Sequence, residues 1–251
     1  MHRFYLPPQQ TGDTALLLAG AEAHHALRVL RLRPGERVTV LDGAGHEFFC
    51  TIAETFRGQV RLAVVEKRYI PPLPCQIVLL QAVPKGKLIE SILQKATELG
   101  AARIVPLLTE RVVKQLDEED AAQKAEKWRA VAIEAIKQCG SAWLPEVSTP
   151  LTPAQFLARQ EKFELPLLGS LQSDSKHPRE YIRAFREQHG RLPNSVCVWI
   201  GPEGDFSPAE LAAIQSGGAH PITLGRLVLR TDTAAVYCLS ILNYELQSPW
   251  P

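Results

Sequence analysis

From Cys75 onward the chain keeps one rhythm, in which a short apolar run gives way to a loop, then to an amphipathic stretch, and then to another apolar run. "QIVLLQAV" reads as a buried strand. It is followed by "KLIESILQKATELG", where Leu88, Ile89, Ile92, Ala96 and Leu99 recur at helical spacing and Gly100 stands at the C-terminal cap. "RIVPLL" is the next strand, with Pro106 marking an edge or a strand end. The acidic "DEED" at 117–120 opens a long helix with Trp128, Ala132, Ala135, Ile136 and Cys139 on one face, because negative charge suits a helix N-terminus. Strand "LPLLGS", helix "PREYIRAFREQHG", strand "VCVWI", helix "SPAELAAIQSGG", strand "PITL" and a last helix from about Asp232 complete the series. Such alternation specifies a mostly parallel sheet covered by helices on both faces, an α/β fold.

Residues 1–70 follow a different pattern. "VTVLDGAGHEFFCTI" carries two β-prone runs around Asp42-Gly43 and Gly45, a hairpin signal. "GQVRLAVVEKRYI" alternates apolar and polar positions from Val60, as a half-buried strand does. "AEAHHALRVLRLRPGE" adds a short helical turn closed at Pro34-Gly35. A small β-barrel accounts for these signals. The three prolines of "YIPPLPCQ" then read as an interdomain linker, giving a β-barrel domain over 1–70 and an α/β domain over 71–251.

In an α/β sheet, ligands collect at the carboxyl ends of the strands. Three loops there begin with glycine directly after an apolar run: "GSLQSDSKHP" after Leu168, "GPEGDFS" after Ile200 and "GRLVLRTDT" after Leu224. Glycine lets backbone groups approach a ligand where a β-carbon would intervene. The second loop ends in a helix start, with Ser207 as N-cap, Pro208 as first helical residue and Glu210 completing a capping box. A tight turn into that helix is the plainer reading of "GPEG"; against it, three strand ends repeat the device. No G-x-G-x-x-G follows the first strand, "PKGK" at 84–87 lacks the phosphate-loop spacing, and no G-x-S-x-G occurs.

Composition excludes other classes. A net charge of +1 gives no global pull toward nucleic acid or membrane, so a polyanion site must be a local patch. There is no apolar run long enough to span a bilayer and no signal-peptide core, which points to the cytosol. The five cysteines are scattered without C-x-x-C spacing, as reduced core residues are, and no metal-ligand pattern is present. One local patch stands out: Arg28, Arg31, Arg33 and Arg37 lie close together with one acid, Glu36. Helical spacing puts Arg28 and Arg31 on one face, suited either to RNA phosphates or simply to solvent.

Taken in order, these segments resemble the SPOUT class of methyltransferases, and more closely the bacterial family that methylates N3 of one uridine in 16S ribosomal RNA. "HALRVLRLRPGE" resembles that family's RNA-binding segment, "KGKLIESILQKATELGAARIVPLLTERVV" its first helix and following strand, and "KWRAVAIEAIKQCG" its next helix. "IGPEGDFSPAE" and "LGRLVLRTDTAA" resemble the two cofactor loops. The resemblance implies a PUA-like N-terminal barrel and a SPOUT domain whose C-terminal segment forms a trefoil knot, an exception to the usual absence of knots. It also implies a homodimer with one subunit's site beside the other's residues. S-adenosylmethionine would be held by Leu168, Gly169, Ile200, Gly201, Pro202, Glu203, Gly204, Leu224, Gly225, Leu229, Arg230 and Thr231, largely through backbone atoms. The chain departs from the family where Asp205 replaces a usual glycine, Asp232 a usual glutamate, and Leu227 and Ser141 common arginines.

Methylation at N3 needs an unpaired base, removal of the N3 proton, and stabilisation of charge spread over O2 and O4. Arg230 is the residue expected to hold that charge, unless it only pairs with Asp232. Asp232 is a candidate proton acceptor or, more simply, a cap of the last helix; Glu203 and a water or hydroxide are the other candidate acceptors. His25, Arg28, Arg31 and Arg33 are the expected RNA contacts, joined by Lys85 and Arg111 from the second domain across the dimer. The substrate implied is 16S rRNA in the small ribosomal subunit. A different rRNA or tRNA position, and a non-catalytic ribosome assembly factor, are the alternatives.

Overall fold

The structure is a computed structural model that describes residues 1–86, 88–111, 117–172 and 175–247. The chain forms two compact units. Met1–Pro72 with Ile133–Leu144 make the first, and Leu73–Ala132 with Pro145–Pro251 the second.

The first unit is built on a five-stranded curled sheet of β1 (His2–Tyr5), β2 (Ala15–Leu18), β3 (Arg37–Leu41), β4 (His46–Phe56) and β5 (Gln59–Tyr69), in the order β1-β3-β4-β5-β2. Only β1 and β3 run parallel. The expected hairpin joins β3 to β4, where the buried Asp42 carboxylate accepts the amides of Ala44 and His46 while Gly43 and Gly45 take positive φ. A two-residue turn, Arg57-Gly58, both at positive φ, joins β4 to β5, as the strand twist requires. On β5, Val60 and Leu62 point inward and are fully buried with Phe4, Val38, Val40 and Ile52. The sheet stays open: β2 pairs only with β5 and β1 only with β3, so the barrel is a half-barrel, and Ala23 and Ala26 from the helical turn complete its core.

The stretch 133–144 belongs to this unit for a visible reason. The Arg3 guanidinium donates to the carbonyls of Lys137 and Gln138, and Gly45 N–H donates to Ala142 O. Lys137 Nζ, nearly buried, reaches Glu22 at 2.8 Å and Glu134 at 2.9 Å. Burial alone would pull this ammonium down. The hydrogen bonds to Glu22 and Glu134 outweigh it and hold its pKa above the usual lysine value. A division of the sequence at residue 70 leaves this helical stretch with the other domain.

Among its described residues the second unit holds six parallel strands in the order β11-β9-β10-β6-β7-β8. They are β6 (Gln76–Ala82), β7 (Arg103–Leu107), β8 (Glu146–Val147), β9 (Leu165–Gly169), β10 (Ser195–Ile200) and β11 (His220–Ile222). Alternate β6 residues face opposite layers. Ile77 and Leu79 pack with α2 (Leu88–Glu98), α5 (Pro178–His189) and α7 (Thr231–Leu246); Val78 and Leu80 pack with α4 (Pro153–Ala158) and α6 (Pro208–Ser216). The long helix is α3 (Glu118–Cys139), and the short α1 covers Gly20–His24. Pro106 lies one residue before the end of β7, a strand with a neighbour on each side. It is tolerated because β8 pairs only Arg103 and Ile104, so no strand requires an N–H from it, while its carbonyl accepts from Leu151. The two-residue β8 and the six-residue α4 are too short to leave a periodic signal in sequence.

Candidate functional site

β9, β10 and β11 are neighbours, so the glycine-led loops that follow them leave the same end of the sheet side by side. Residues 169–172, 200–205 and 223–231, with Ala234, line one cavity of about 630 Å³. Of the residues expected to hold a cofactor, Gly169, Ile200, Gly201, Pro202, Glu203, Gly204, Leu224, Gly225, Leu229, Arg230 and Thr231 line it. Leu168 does not; its side chain is fully buried in the core on the sheet face with Trp199 and Ile214. The walls also include Ser170, Leu171, Gln172, Asp205, Thr223 and Ala234, which the glycine pattern alone did not single out. Ser173 and Asp174 of the first loop lie outside the described residues.

The walls are close-fitting backbone. A Cβ on Gly169 would stand 3.2 Å from Ile200 Cδ1, and one on Gly201 would stand 3.0 Å from Asp205 Oδ1 and 3.3 Å from Phe206. Cross-links hold them. Thr231 Oγ1 donates to Gly201 O at 2.6 Å and accepts from Gln81 Nε2 at 3.0 Å, joining the start of α7 to the second loop and the middle of the sheet. Gln81 is fully buried, its Nε2 also bonds Ala82 O, and its Oε1 has no partner among the described residues. A lone amide inside the apolar run "QIVLLQAV" was the sequence signal for this strut. The Arg111 guanidinium donates to the Gly204 carbonyl. Glu210 completes the expected capping box with Ser207 and also accepts the Glu110 amide at 3.0 Å, so helix α6 is tied to the loop after β7.

Arg230 is exposed at the cavity rim as the residue preceding α7, and no ion pair of its side chain is found among the described residues. The expected cap by Asp232 is not formed. The helix begins at Thr231, so Asp232 is its second residue, where a carboxylate meets the positive end of the dipole, and Arg230 at the cap position receives no side-chain bond. Among the described residues Asp232 forms no ion pair with Arg230, and its Oδ1 is buried without a hydrogen-bond partner. The cavity lining carries Glu203 and Asp205 against Arg226 and Arg230.

In the first unit, Arg28, Arg31, Arg33 and Arg37 are all exposed. Arg28 and Arg31 do not share a helix face. After α1 the chain widens into a π-helical turn over His25–Val29, Leu30 N–H bonds back to His25 O, and Arg31 takes a positive φ of 55° that ends the helix. His25 is half-buried with its ring edge-on to Phe4. Lys85 is exposed in the turn after β6; Lys87 and residues 112–116 lie outside the described residues, and of these Lys87, Val112 and Val113 belong to the segment 85–113 expected to resemble the family's first helix and following strand.

Residues 71–243 match the family model described as RNA methyltransferase domain, and residues 18–65 match RNA methyltransferase PUA domain. The chain belongs to the RNA methyltransferase family. Proteins named ribosomal RNA small subunit methyltransferase E resemble this RNA methyltransferase over its length. The one from Synechocystis is 33% identical, spanning 98% of this chain and 78% of its own, and that from Bacillus subtilis is 30% identical, spanning 98% of both. Among solved structures, a Legionella pneumophila protein in complex with the bound cofactor SAM superposes with a TM-score of 0.86 at 35% identity, over 97% of both chains. A Neisseria gonorrhoeae ribosomal RNA small subunit methyltransferase E bound to S-adenosyl methionine gives 0.83 at 25% identity over 98% of both. The PUA and SPOUT architecture expected from sequence is therefore the architecture of this chain.

Proposed function

We propose that this RNA methyltransferase transfers a methyl group from S-adenosylmethionine to N3 of a specific uridine in 16S rRNA, acting in the cytoplasm as a homodimer on the small ribosomal subunit. The convergence of three glycine-led loops on one cavity carries the reading, and relatives named small subunit methyltransferases, two of the similar folds holding SAM, support it. The cavity suits the cofactor. Gly169 and Gly201 leave no room for a Cβ against Ile200, Asp205 and Phe206, and the lining sets two carboxylates, Glu203 and Asp205, beside two arginines, Arg226 and Arg230, for a ligand that carries charges of both signs. Residues 169, 200–204 and 224–231 would hold it, largely by backbone groups. When bound it supplies an electrophilic methyl; the chain's own side chains must do the rest.

The uracil must be unpaired and turned out for its N3 to be reached. As the N3 proton leaves, charge spreads onto O2 and O4. Arg230, exposed at the rim and without an ion pair among the described residues, is the donor that stabilises it. Asp232, two residues after Arg230 in the first turn of α7 and outside the cavity lining, is the proposed proton acceptor; its Oδ1 has no hydrogen-bond partner among the described residues. Arg28, Arg31 and Arg33 supply phosphate contacts, with His25, Lys85 and Arg111 as further RNA contacts in the assembled dimer. Incubation with methyl-labelled S-adenosylmethionine and small subunits lacking the modification, followed by nucleoside analysis, tests the reading. Labelled 3-methyluridine is expected; label on another nucleoside moves the target, and no label on any RNA removes the enzyme reading.

A further inference from the structure

S-adenosylmethionine and its product, S-adenosylhomocysteine, differ by one methyl group and one positive charge. A charge fixed in the cavity wall near the sulfur therefore acts differently on the two, although both keep the ammonium and carboxylate of the amino-acid end. Resting on the cofactor reading above, we propose that Asp205 is the residue by which this cavity favours the cationic donor over the neutral product.

Four observations place that carboxylate. Asp205 lines the cavity and is half-exposed there. Its backbone has φ +62°, a conformation that L-residues other than asparagine and aspartate adopt rarely, closed by the Asp205 N–H to Pro202 O bond of 3.0 Å. Its Oδ1 accepts the Phe206 amide at 2.8 Å and stands 3.0 Å from where a Cβ on Gly201 would lie, leaving Oδ2 without a partner among the described residues. The loop around it is fixed at both ends: Thr231 holds the Gly201 carbonyl, Arg111 holds the Gly204 carbonyl, and the Phe206 ring is 1% exposed in the core. The carboxylate is thus held in place before any ligand arrives, so little reorganisation offsets its attraction for a cation. Glu203, the other acid of the wall, is exposed, and no hydrogen bond or ion pair of its side chain is found among the described residues. It should sample many positions and contribute less.

Titration calorimetry of S-adenosylmethionine and, separately, S-adenosylhomocysteine into the wild type and the variants Asp205→Asn, Asp205→Gly and Glu203→Gln tests this directly. Asparagine keeps the acceptor for Phe206 and tolerates positive φ while removing the charge; glycine relieves the backbone as well. Both Asp205 variants should bind S-adenosylmethionine about five- to tenfold more weakly, about 1 to 1.4 kcal/mol, with S-adenosylhomocysteine affinity held within about twofold. Glu203→Gln should shift the ratio less. An unchanged ratio in Asp205→Asn, or a larger shift in Glu203→Gln, overturns the assignment to Asp205. Wild-type protein that binds neither compound would instead remove the cofactor reading itself.

Discussion

The cavity loops and the arginine segment at 28–37 both carry residues that sequence reading marks as functional, yet they are built in opposite ways. In the cavity, the first glycine of the second loop is bonded to Thr231, its second glycine to Arg111, and its outgoing helix to Glu110 through Glu210. In the arginine segment the charged groups stand exposed, with no ion pair of Arg28, Arg31, Arg33 or Arg37 among the described residues. A backbone-lined site needs fixed geometry because its recognition groups cannot adjust by rotating a side chain. A phosphate-binding patch needs only charge within reach, since long flexible cations find their partners after encounter.

That contrast can be broken by experiment. The largest effect is expected from Arg230→Ala, a side chain on the rim of the rigid site: turnover should fall about 10²- to 10³-fold, as when one oxyanion donor is lost, while S-adenosylmethionine affinity stays within about twofold. Equal losses in cofactor affinity would mean that Arg230 builds the cavity rather than serving the reaction. Replacing Arg28, Arg31 and Arg33 together by alanine should weaken RNA binding about 30-fold and make log K against log salt shallower by about 2, with cofactor affinity untouched. An unaltered salt slope would assign those arginines to solvent.

Thr231→Val, which keeps shape and removes the hydroxyl, leaves the Gly201 carbonyl and Gln81 Nε2 each short of a bond. Cofactor affinity should drop about tenfold, matching the roughly 1–3 kcal/mol cost of an unmet buried group, and Thr231→Ser should restore it. If valine binds as well as threonine, the strut is dispensable and the rigidity argument weakens. The smallest effect belongs to Glu164, at the start of the sheet's other end. Hydrogen bonds from Arg191 and then from the Asn194 amide hold its carboxyl down at about 2. Because the folded value is depressed, this stabilisation is complete above the ordinary carboxylate range and is lost as pH falls toward 2. Glu164→Gln should flatten acid unfolding slightly between about pH 5 and 2 and leave cofactor affinity alone; solvent screening of these exposed groups keeps the effect small.

Sequence legibility followed the same division. The three glycines after Leu168, Ile200 and Leu224 marked the cavity because backbone approach forces a residue type, and the Ser207–Glu210 box marked the helix that orients one wall. Side-chain geometry was less legible. The capping role expected for Asp232 failed over a two-residue shift, since Arg230 holds the cap position, and the shared face of Arg28 and Arg31 failed because a π-helical turn breaks the 3.6-residue spacing. The attachment of 133–144 to the first unit depends on Arg3, Glu22 and Lys137, pairings more than a hundred residues apart that local periodicity does not carry. The longer strands and helices of the second unit, by contrast, were readable, because a strand buried on both faces is a continuous apolar run and a helix buried on one face repeats at helical spacing; β8 and α4 are too short for either signal.

Hydrogen–deuterium exchange of the intact protein with and without S-adenosylmethionine tests the central claim, that three separate loops make one cofactor site. Backbone amides in 169–172, 200–205 and 223–231 should gain protection together while those of the arginine segment at 28–37 exchange unchanged. Protection confined to one loop, or appearing only outside all three, would contradict it.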